Sequence, residues 1–294
     1  MTDNQSLHLE EQFKTLLRQQ EIDVDLLGSL YQIYLPIAEW VANQPRPFVV
    51  GINGAQGSGK STLSLILALL LKHNHNLNVA TLSIDDLYKS RAERQQMAKE
   101  IHPLFATRGV PGTHNVKLGY ETIQSLLKDG ATTIPRFDKA LDDSLPQSAW
   151  PIFEGRADVV IFEGWCVGAS AQHENTLEQP LNILEASEDR AGEWRSYINR
   201  QLQHDYPVLF ELIDALIVLE IPEYAKVLEW RTLQESKLRK STNDPQQIMA
   251  GAEIERFVMH FERLTRSMMD EMPPRAEILL KIDQQYQIYR VDIR

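Results

Sequence analysis

Residues 54–61 are Gly-Ala-Gln-Gly-Ser-Gly-Lys-Ser, which fits the phosphate-binding pattern G-x-x-x-x-G-K-S/T. An apolar, β-like run at 48–52 precedes this stretch, and a leucine-rich segment without helix breakers follows it at 61–72. The glycines let the backbone wrap closely around an anion, so that successive N–H groups and the positive end of the next helix point to it. Because strand, glycine loop and helix are the context that the motif requires, the stretch predicts a nucleotide phosphate site.

The pattern also predicts a role for individual residues of this phosphate loop. Lys60 is expected to reach the β- and γ-phosphates, and Ser61 is expected to bind magnesium. The predicted cofactors are therefore ATP and Mg²⁺. The residues expected to bind the nucleotide are Gly54, Ala55, Gln56, Gly57, Ser58, Gly59, Lys60, Ser61 and Thr62.

Composition limits the classes of partner. The 294 residues, 43% of them hydrophobic, can bury a large core, and the net charge of −11 argues against nucleic-acid or anionic-membrane binding. Cys166 is the only cysteine, which excludes an intrachain disulfide and fits a reducing cytosol. Neither a secretory signal pattern nor an apolar run long enough to span a bilayer is visible. We therefore expect a cytoplasmic protein that binds neither nucleic acid nor membrane.

Strand-like and helix-like segments alternate along the chain. The predicted strands are 48–53, 78–84, 158–163 and 214–221, with a terminal pair of edge strands or a hairpin at 278–282 and 287–293. Helices are predicted at 61–72, up to about 128, up to 207, and at 223–237. This alternation predicts an α/β fold, with a mostly parallel central sheet in a three-layer α/β/α arrangement.

Four segments make up the predicted domain organisation. Residues 1–46 are expected to form a helical extension packed on the core, and 47–294 the main domain. Within that domain, an insertion at about 88–157 is large enough for an acceptor site. The polar stretch near 238–245 suggests a lid at about 230–250, although an ordinary solvated loop explains its composition equally well.

Carboxylates follow two of the predicted strands. Asp85 and Asp86 come after the strand at 79–84, and Glu163 closes the strand at 159–162. Ligands of doubly wound sheets bind at the carboxyl ends of the strands. There, one carboxylate can accept the proton of an attacking hydroxyl and another can hold magnesium, directly or through water. Helix capping is the alternative role for Asp85 and Asp86.

Cationic side chains concentrate in the predicted insertion. The stretch 107–115, which we call the acceptor loop, is rich in Gly and Pro and carries Arg108 and His114, a set suited to a carboxylate or a hydroxylated acid. Arg136 and Lys139 follow and suit an anionic substrate or a phosphate. A structural turn with solvated charges is the alternative. On a later helix, Arg231 either closes over the transferring phosphate or pairs with Glu235.

Taken together, these motifs resemble the D-glycerate 3-kinase type of P-loop kinase, a group similar to uridine kinase, phosphoribulokinase and bacterial pantothenate kinase. The resemblance covers about 48–265. It rests, in chain order, on GAQGSGKST, SIDDLY, RGVPGTH, PRFDK and FEGWCVG, with Asn199 and the stretch 230–235 extending it. The chain departs from the family pattern at Asn115, where Asp commonly follows Thr-His. It departs again after Lys139, where a glycine-rich, arginine-ending stretch is absent.

The resemblance implies an ATP- and Mg²⁺-dependent phosphotransferase that acts on a hydroxyl of a small acid, with D-glycerate to 3-phosphoglycerate as the leading reaction. It assigns the hydroxyl proton to Asp85, with Lys60 and Arg231 as the other catalytic residues and Ser61, Asp85 and Glu163 around magnesium. The acceptor side comprises Asp86, Tyr88, Arg108, His114, Arg136 and Lys139. The alternatives are a kinase for a nucleoside, pantothenate or a sugar acid, or a nucleotide-binding regulator without acceptor turnover.

Overall fold

The computed structural model describes residues 10–15, 17–18, 27–241 and 251–294, with backbone only at 27 and 234–241. Its main helices are Leu35–Ala42 (α1), Lys60–His75 (α2), Arg91–Glu100 (α3), Val116–Leu126 (α4), Ile183–Glu188 (α5), Glu193–His204 (α6), Tyr206–Phe210 (α7), Ala225–Ser241 (α8) and Gly251–Glu271 (α9). Its strands are Phe48–Gly54 (β1), Val79–Ser83 (β2), Ala131–Thr133 (β3), Phe137–Asp138 (β4), Asp143–Ser144 (β5), Ile152–Glu154 (β6), Val159–Gly164 (β7), Ala215–Glu220 (β8), Ile278–Ile282 (β9) and Ile288–Ile293 (β10).

Six strands form the central sheet, in the order β10-β9-β8-β1-β7-β2. The neighbours from β9 to β2 pair in parallel, and β10 pairs antiparallel with β9 at the edge. The predicted mostly parallel sheet and the terminal hairpin are confirmed. Every residue of β1 and β7 is buried, as expected for central strands covered on both faces.

Alternate residues of the central strands enter two separate hydrophobic cores. Val50 and Ile161 lie in one core with Ile66 of α2, whereas Val49 and Val160 lie in the other, which also contains residues of α4, α6 and α9. Side chains of successive strand residues point to opposite faces, so helices cover both faces of the sheet. The predicted three-layer α/β/α arrangement is therefore confirmed.

The described part of the N-terminal segment packs on the core that contains α2. Phe13, Leu17 and Ile37 are fully buried in it. The division of the chain into an extension and a main domain stays a prediction. Residues 242–250 of the predicted lid lie outside the described residues, and α8 accounts for the part before them.

Two small antiparallel sheets, β3 with β6 and β4 with β5, lie within the predicted acceptor insertion. The sequence pattern did not predict them, because strands of two or three residues are too short to show an alternation of polar and apolar residues. Among the described residues, no helix is both long and apolar enough to cross a bilayer.

The sheet brings three strand ends together. Glu163 of β7 is in register with Ile52 of β1 on one side and with Ser83 of β2 on the other. The phosphate loop follows β1, and a short 3₁₀ helix, Ile84–Leu87, follows β2. The three acidic side chains predicted at strand ends therefore lie at the same edge as the phosphate loop.

Candidate active site

The phosphate loop has the backbone of an anion-binding turn. Gly57 and Gly59 have φ angles of 82° and 92°, in the left-handed region that glycine adopts without strain, and Gly59 is the N-cap of α2. A Cβ atom at Gly54 would lie 2.4 Å from Oγ of Ser58. The loop thus requires glycine at these positions and leads directly into a helix N-terminus, where N–H groups attract phosphate.

The terminal hairpin contacts this loop from outside. The Tyr286 hydroxyl, in the turn between β9 and β10, donates to the carbonyl oxygen of Gly57. The Tyr286 ring packs edge-on against Trp230 of α8, with 4.8 Å between ring centroids. Burial raises the pKa of Tyr286 to about 12, so the hydroxyl keeps its proton and remains a donor at neutral pH. No local pattern predicts this contact, because 229 residues separate the two partners.

Two oxygen ligands of the kind that magnesium prefers meet beside Lys60. The Ser61 hydroxyl donates to Oε1 of Glu163 at 3.1 Å. Glu163 is only 8% exposed, and its Oε2 atom is buried without a hydrogen-bond partner among the described residues. A buried carboxylate oxygen without a partner is costly. Because Mg²⁺ takes hard oxygen ligands and one or two carboxylates, Ser61 and Glu163 fit this ion.

Asp85 is held by a hydrogen bond at each carboxylate oxygen. Tyr88 donates its hydroxyl to Oδ1 at 2.8 Å, and Nζ of Lys139 lies 2.7 Å from Oδ2. Burial alone would raise the pKa of Asp85, but the charges of Lys139 and Lys60 and the two hydrogen bonds outweigh it and hold the pKa below its ordinary value. Asp85 is therefore ionised at neutral pH, within electrostatic reach of the phosphate loop.

Neither aspartate caps a helix. Ser83 caps the 3₁₀ helix by accepting from the backbone N–H of Asp85, and Ser90 caps α3 in a capping box with Glu93. Asp86 instead accepts hydrogen bonds from Arg136 and from the backbone N–H of Phe137, at 3.0 and 3.2 Å. Burial raises the pKa of Asp86 against the opposing charge of Arg136. The capping alternative is thus wrong for both residues, and Asp86 ties the segment at 136–137 to the end of β2.

Arg108 lies over the ring of Phe137, 5.5 Å from its centroid, and donates to Asp142. Arg94 of α3, which is 1% exposed, reaches the same carboxylate at 2.9 Å and also lies near the Phe137 ring. Asp142 therefore bridges two guanidinium groups. The sequence prediction missed Arg94 and Asp142, because neither stands in a recognisable motif.

The acceptor loop is joined by backbone hydrogen bonds to the residues that follow Asp85. Lys89 N–H donates to the carbonyl oxygen of Thr113 at 2.8 Å, and Asn115 N–H to that of Leu87 at 2.7 Å. Asn115, one of the two departures from the family pattern, caps α4 with its side chain.

His114 is a buried titratable residue of this loop. Its ring stacks on Tyr88, with 4.7 Å between centroids, and its Nδ1 atom lies 2.6 Å from the hydroxyl of Tyr206. Burial lowers the pKa of His114 to about 3, against a smaller opposing effect of Asp85. At neutral pH His114 is therefore an uncharged hydrogen-bonding group and cannot act as a cation.

Comparison with curated proteins identifies related kinases. Uncharacterized kinase mug58 of Schizosaccharomyces pombe is 33% identical over 255 residues, which cover 80% of this chain and 87% of that protein. The chloroplastic D-glycerate 3-kinase of Arabidopsis thaliana is 29% identical over 269 residues, covering 83% of this chain and 56% of that protein. The chain belongs to the D-glycerate 3-kinase-like family of P-loop kinases. Its enzyme class is accordingly that of a small-molecule kinase.

The solved structure of D-glycerate 3-kinase from Cryptococcus neoformans matches this kinase with a TM-score of 0.70 and 22% identity, covering 97% of this chain and 98% of that one. At this identity the likeness shows the fold alone. No protein-family model matches the chain.

Arg231, which the sequence predicts to be a catalytic residue, lies on α8. Its guanidinium is 5.4 Å from the ring centroid of Phe257 on α9. The side chain of Glu235, its alternative partner, lies outside the described residues. A role for Arg231 over the transferring phosphate stays a prediction.

Proposed function

We propose that this kinase transfers the γ-phosphoryl group of ATP to a hydroxyl of a small carboxylic acid, with D-glycerate to 3-phosphoglycerate as the leading reaction. The observation that carries the proposal is the Asp85 carboxylate. It is ionised, fixed by Tyr88 and Lys139, and placed between the phosphate loop and the acceptor loop.

The phosphate side of the reaction rests on the phosphate loop. Its N–H groups and Lys60 would hold the β- and γ-phosphates and offset their charge. Ser61 and Glu163 would hold Mg²⁺, with Asp85 as a third oxygen donor. The ion would supply positive charge that offsets the charge developing on the transferring phosphoryl group.

Asp85 would receive the proton of the acceptor hydroxyl. As the hydroxyl oxygen forms its bond to the γ-phosphorus, the bond to the bridging oxygen breaks and ADP leaves with that electron pair. The hydroxyl proton passes to a carboxylate oxygen of Asp85. The low pKa of Asp85 makes it a weak base, which suits a loose transition state in which the hydroxyl loses its proton late.

The charge of the acceptor side favours an acid over a neutral nucleoside. The side chains of Lys139 and Arg108 remain 62% and 26% exposed, so both can meet a substrate that enters from solvent. A guanidinium and an ammonium group suit a carboxylate. A regulator without acceptor turnover has no need of a carboxylate base at this position.

The test is an acceptor panel with ATP and Mg²⁺, read as ADP release. D-glycerate, L-glycerate, pantothenate, uridine and several sugar acids are compared at equal concentration. We expect D-glycerate to have the highest kcat/KM. A higher kcat/KM for a nucleoside or pantothenate would overturn the acceptor assignment. Tight ATP binding without acceptor-stimulated ADP release would favour the nucleotide-binding regulator.

A cytoplasmic location stays a prediction from cysteine content.

The base assignment has its own variant and control. Asp85→Asn keeps the size of the side chain and removes the charge, so kcat should fall on the order of 10²-fold or more. Asp129→Asn, at an exposed position after α4, is the matched control and should leave kcat unchanged. A kcat of Asp85→Asn within a few-fold of the parent enzyme would refute the assignment.

A further inference from the structure

Tyr206 stands at the first position of α7 and is fully buried. Its hydroxyl oxygen accepts the backbone N–H of Gly112 at 2.9 Å. Burial raises the pKa of Tyr206 well above its ordinary value, so the hydroxyl keeps its proton at neutral pH. The oxygen therefore accepts a backbone hydrogen bond from the acceptor loop while its own proton still needs an acceptor.

The phenol proton of Tyr206 must consequently go to the one nearby acceptor. The Nδ1 atom of His114 lies 2.6 Å from the hydroxyl, and no other acceptor for it is seen among the described residues. If Nδ1 carried the histidine proton and donated it to the phenol oxygen, the phenol proton would have no acceptor and the bare Nε2 atom would have no donor among the described residues. The arrangement that leaves fewest buried groups unsatisfied has Tyr206 donating to Nδ1.

A neutral imidazole that accepts at Nδ1 carries its proton on Nε2. The Nε2 atom of His114 is buried and has no hydrogen-bond partner among the described residues. Its ring stacks on Tyr88, which donates to Asp85, and Asp85 is close enough to act on the pKa of His114. An N–H donor without a partner among the described residues thus lies beside Tyr88, near Asp85.

We propose that Tyr206 is a positioning residue that fixes His114 as its Nε2–H tautomer, so that the acceptor loop presents a hydrogen-bond donor to the substrate. The ligand atom it recognises is an oxygen with a free lone pair, either a carboxylate or a hydroxyl oxygen of the acceptor. This inference rests on the proposed function and adds a specificity element to the same site. An acceptor that offers only an N–H group there would meet donor against donor and be rejected.

The tautomer can be measured in the free enzyme, independently of any acceptor. Long-range ¹H–¹⁵N spectra distinguish a protonated from an unprotonated ring nitrogen, and loss of signals in His114→Gln identifies this residue among the eight histidines. We expect a protonated Nε2 and a bare Nδ1, with the Nε2–H fraction falling in Tyr206→Phe. Tyr197→Phe is the matched control, because its ring borders the same loop at Gly112. A protonated Nδ1, or a tautomer unchanged in Tyr206→Phe, would overturn the proposal.

Kinetics separate positioning from simple structural support. Tyr206→Phe should raise the acceptor KM on the order of 10-fold, as expected for one hydrogen bond, and leave the ATP KM unchanged. His114→Gln retains an amide N–H donor and has no tautomer to fix, so adding Tyr206→Phe to it should have little further effect. Equal losses in both backgrounds would refute the role of Tyr206 through His114. If the tautomer is as expected but no acceptor is turned over, the proposed function fails and the assignment of Tyr206 stands.

Discussion

Lys139 lowers the pKa of Asp85, and replacing it should shift the pH dependence of the kinase. Its ammonium nitrogen lies 2.7 Å from Oδ2 of Asp85. The cation favours the ionised carboxylate, so the pKa of Asp85 lies below its ordinary value and the base stays ionised as the pH falls. Lys139→Met keeps the length of the side chain and removes the charge. The acid limb of the kcat/KM profile should therefore move to higher pH.

The size of the shift follows from the distance and the exposure. Because the Lys139 side chain is 62% exposed, its charge is largely screened, and a dielectric close to that of water applies. Two unit charges 2.7 Å apart then interact by about 1.5 kcal/mol, which corresponds to a shift of about one pH unit. Lys60 still lowers the pKa of Asp85 in the variant, so the limb should not move past the ordinary range of an aspartate.

The assay is acceptor kcat/KM measured at saturating ATP and Mg²⁺ from pH 8 down to the lowest pH at which circular dichroism shows a folded chain. Lys117→Met is the matched control, because Lys117 is 83% exposed and pairs only loosely with Glu121, at 3.7 Å. That variant should give the profile of the parent enzyme. An acid limb that stays in place or moves to lower pH in Lys139→Met would refute the electrostatic argument. A fall in kcat/KM at every pH, without a change of limb, would assign Lys139 to substrate binding alone.

Three further predictions concern the phosphate side. Glu163→Gln should raise the Mg²⁺ concentration needed for half-maximal activity about 10- to 100-fold, measured as an activation curve, while ATP binding without metal changes little. Gly54→Ala places a Cβ atom 2.4 Å from Oγ of Ser58, so ATP binding measured by calorimetry should be lost while circular dichroism shows a folded chain. Tyr286→Phe removes the hydrogen bond to Gly57 and should raise the ATP KM several-fold, with the acceptor KM unchanged. An unchanged Mg²⁺ activation curve, ATP affinity or ATP KM would contradict the role given to Glu163, Gly54 or Tyr286, respectively.

Local sequence signals were sufficient to predict that the phosphate loop, Asp85 and Glu163 lie at one edge of the sheet. The phosphate loop is a contiguous motif, and Asp85 and Glu163 each follow an apolar run that is long enough to predict a strand. Parallel strand ends meet at one edge of a sheet, so their meeting could be predicted without knowing the strand order. The sequence pattern does not predict the strand order. The pairing of β7 with both β1 and β2 shows that Glu163 lies on the strand between them.

The acceptor side depended on contacts between distant segments, which single-residue patterns do not encode. Tyr206 meets His114 across 92 residues, and Asp142 meets Arg94 across 48. Tyr206, Arg94 and Asp142 do not differ in type or spacing from ordinary residues of helices and turns, and the motif that contains His114 does not indicate its partner. The uncharged state of His114 could not be predicted from the sequence either. A histidine in a polar loop is expected to be solvated, whereas His114 is buried.

Arg108 and Arg136 differ in how their carboxylate partners are held, and this difference indicates which arginine can bind the acceptor. Nη1 of Arg136 donates both to Asp86 and to the carbonyl oxygen of Pro135, and among the described residues Arg136 is the guanidinium that pairs with Asp86. Among the described contacts, Arg108 gives one guanidinium nitrogen to Asp142 and keeps further N–H donors for a ligand. Because Asp142 is shared with the buried Arg94, an incoming carboxylate can take over Arg108 and leave Asp142 paired. The geometry therefore favours Arg108 over Arg136 as the arginine that meets the acid group of the acceptor.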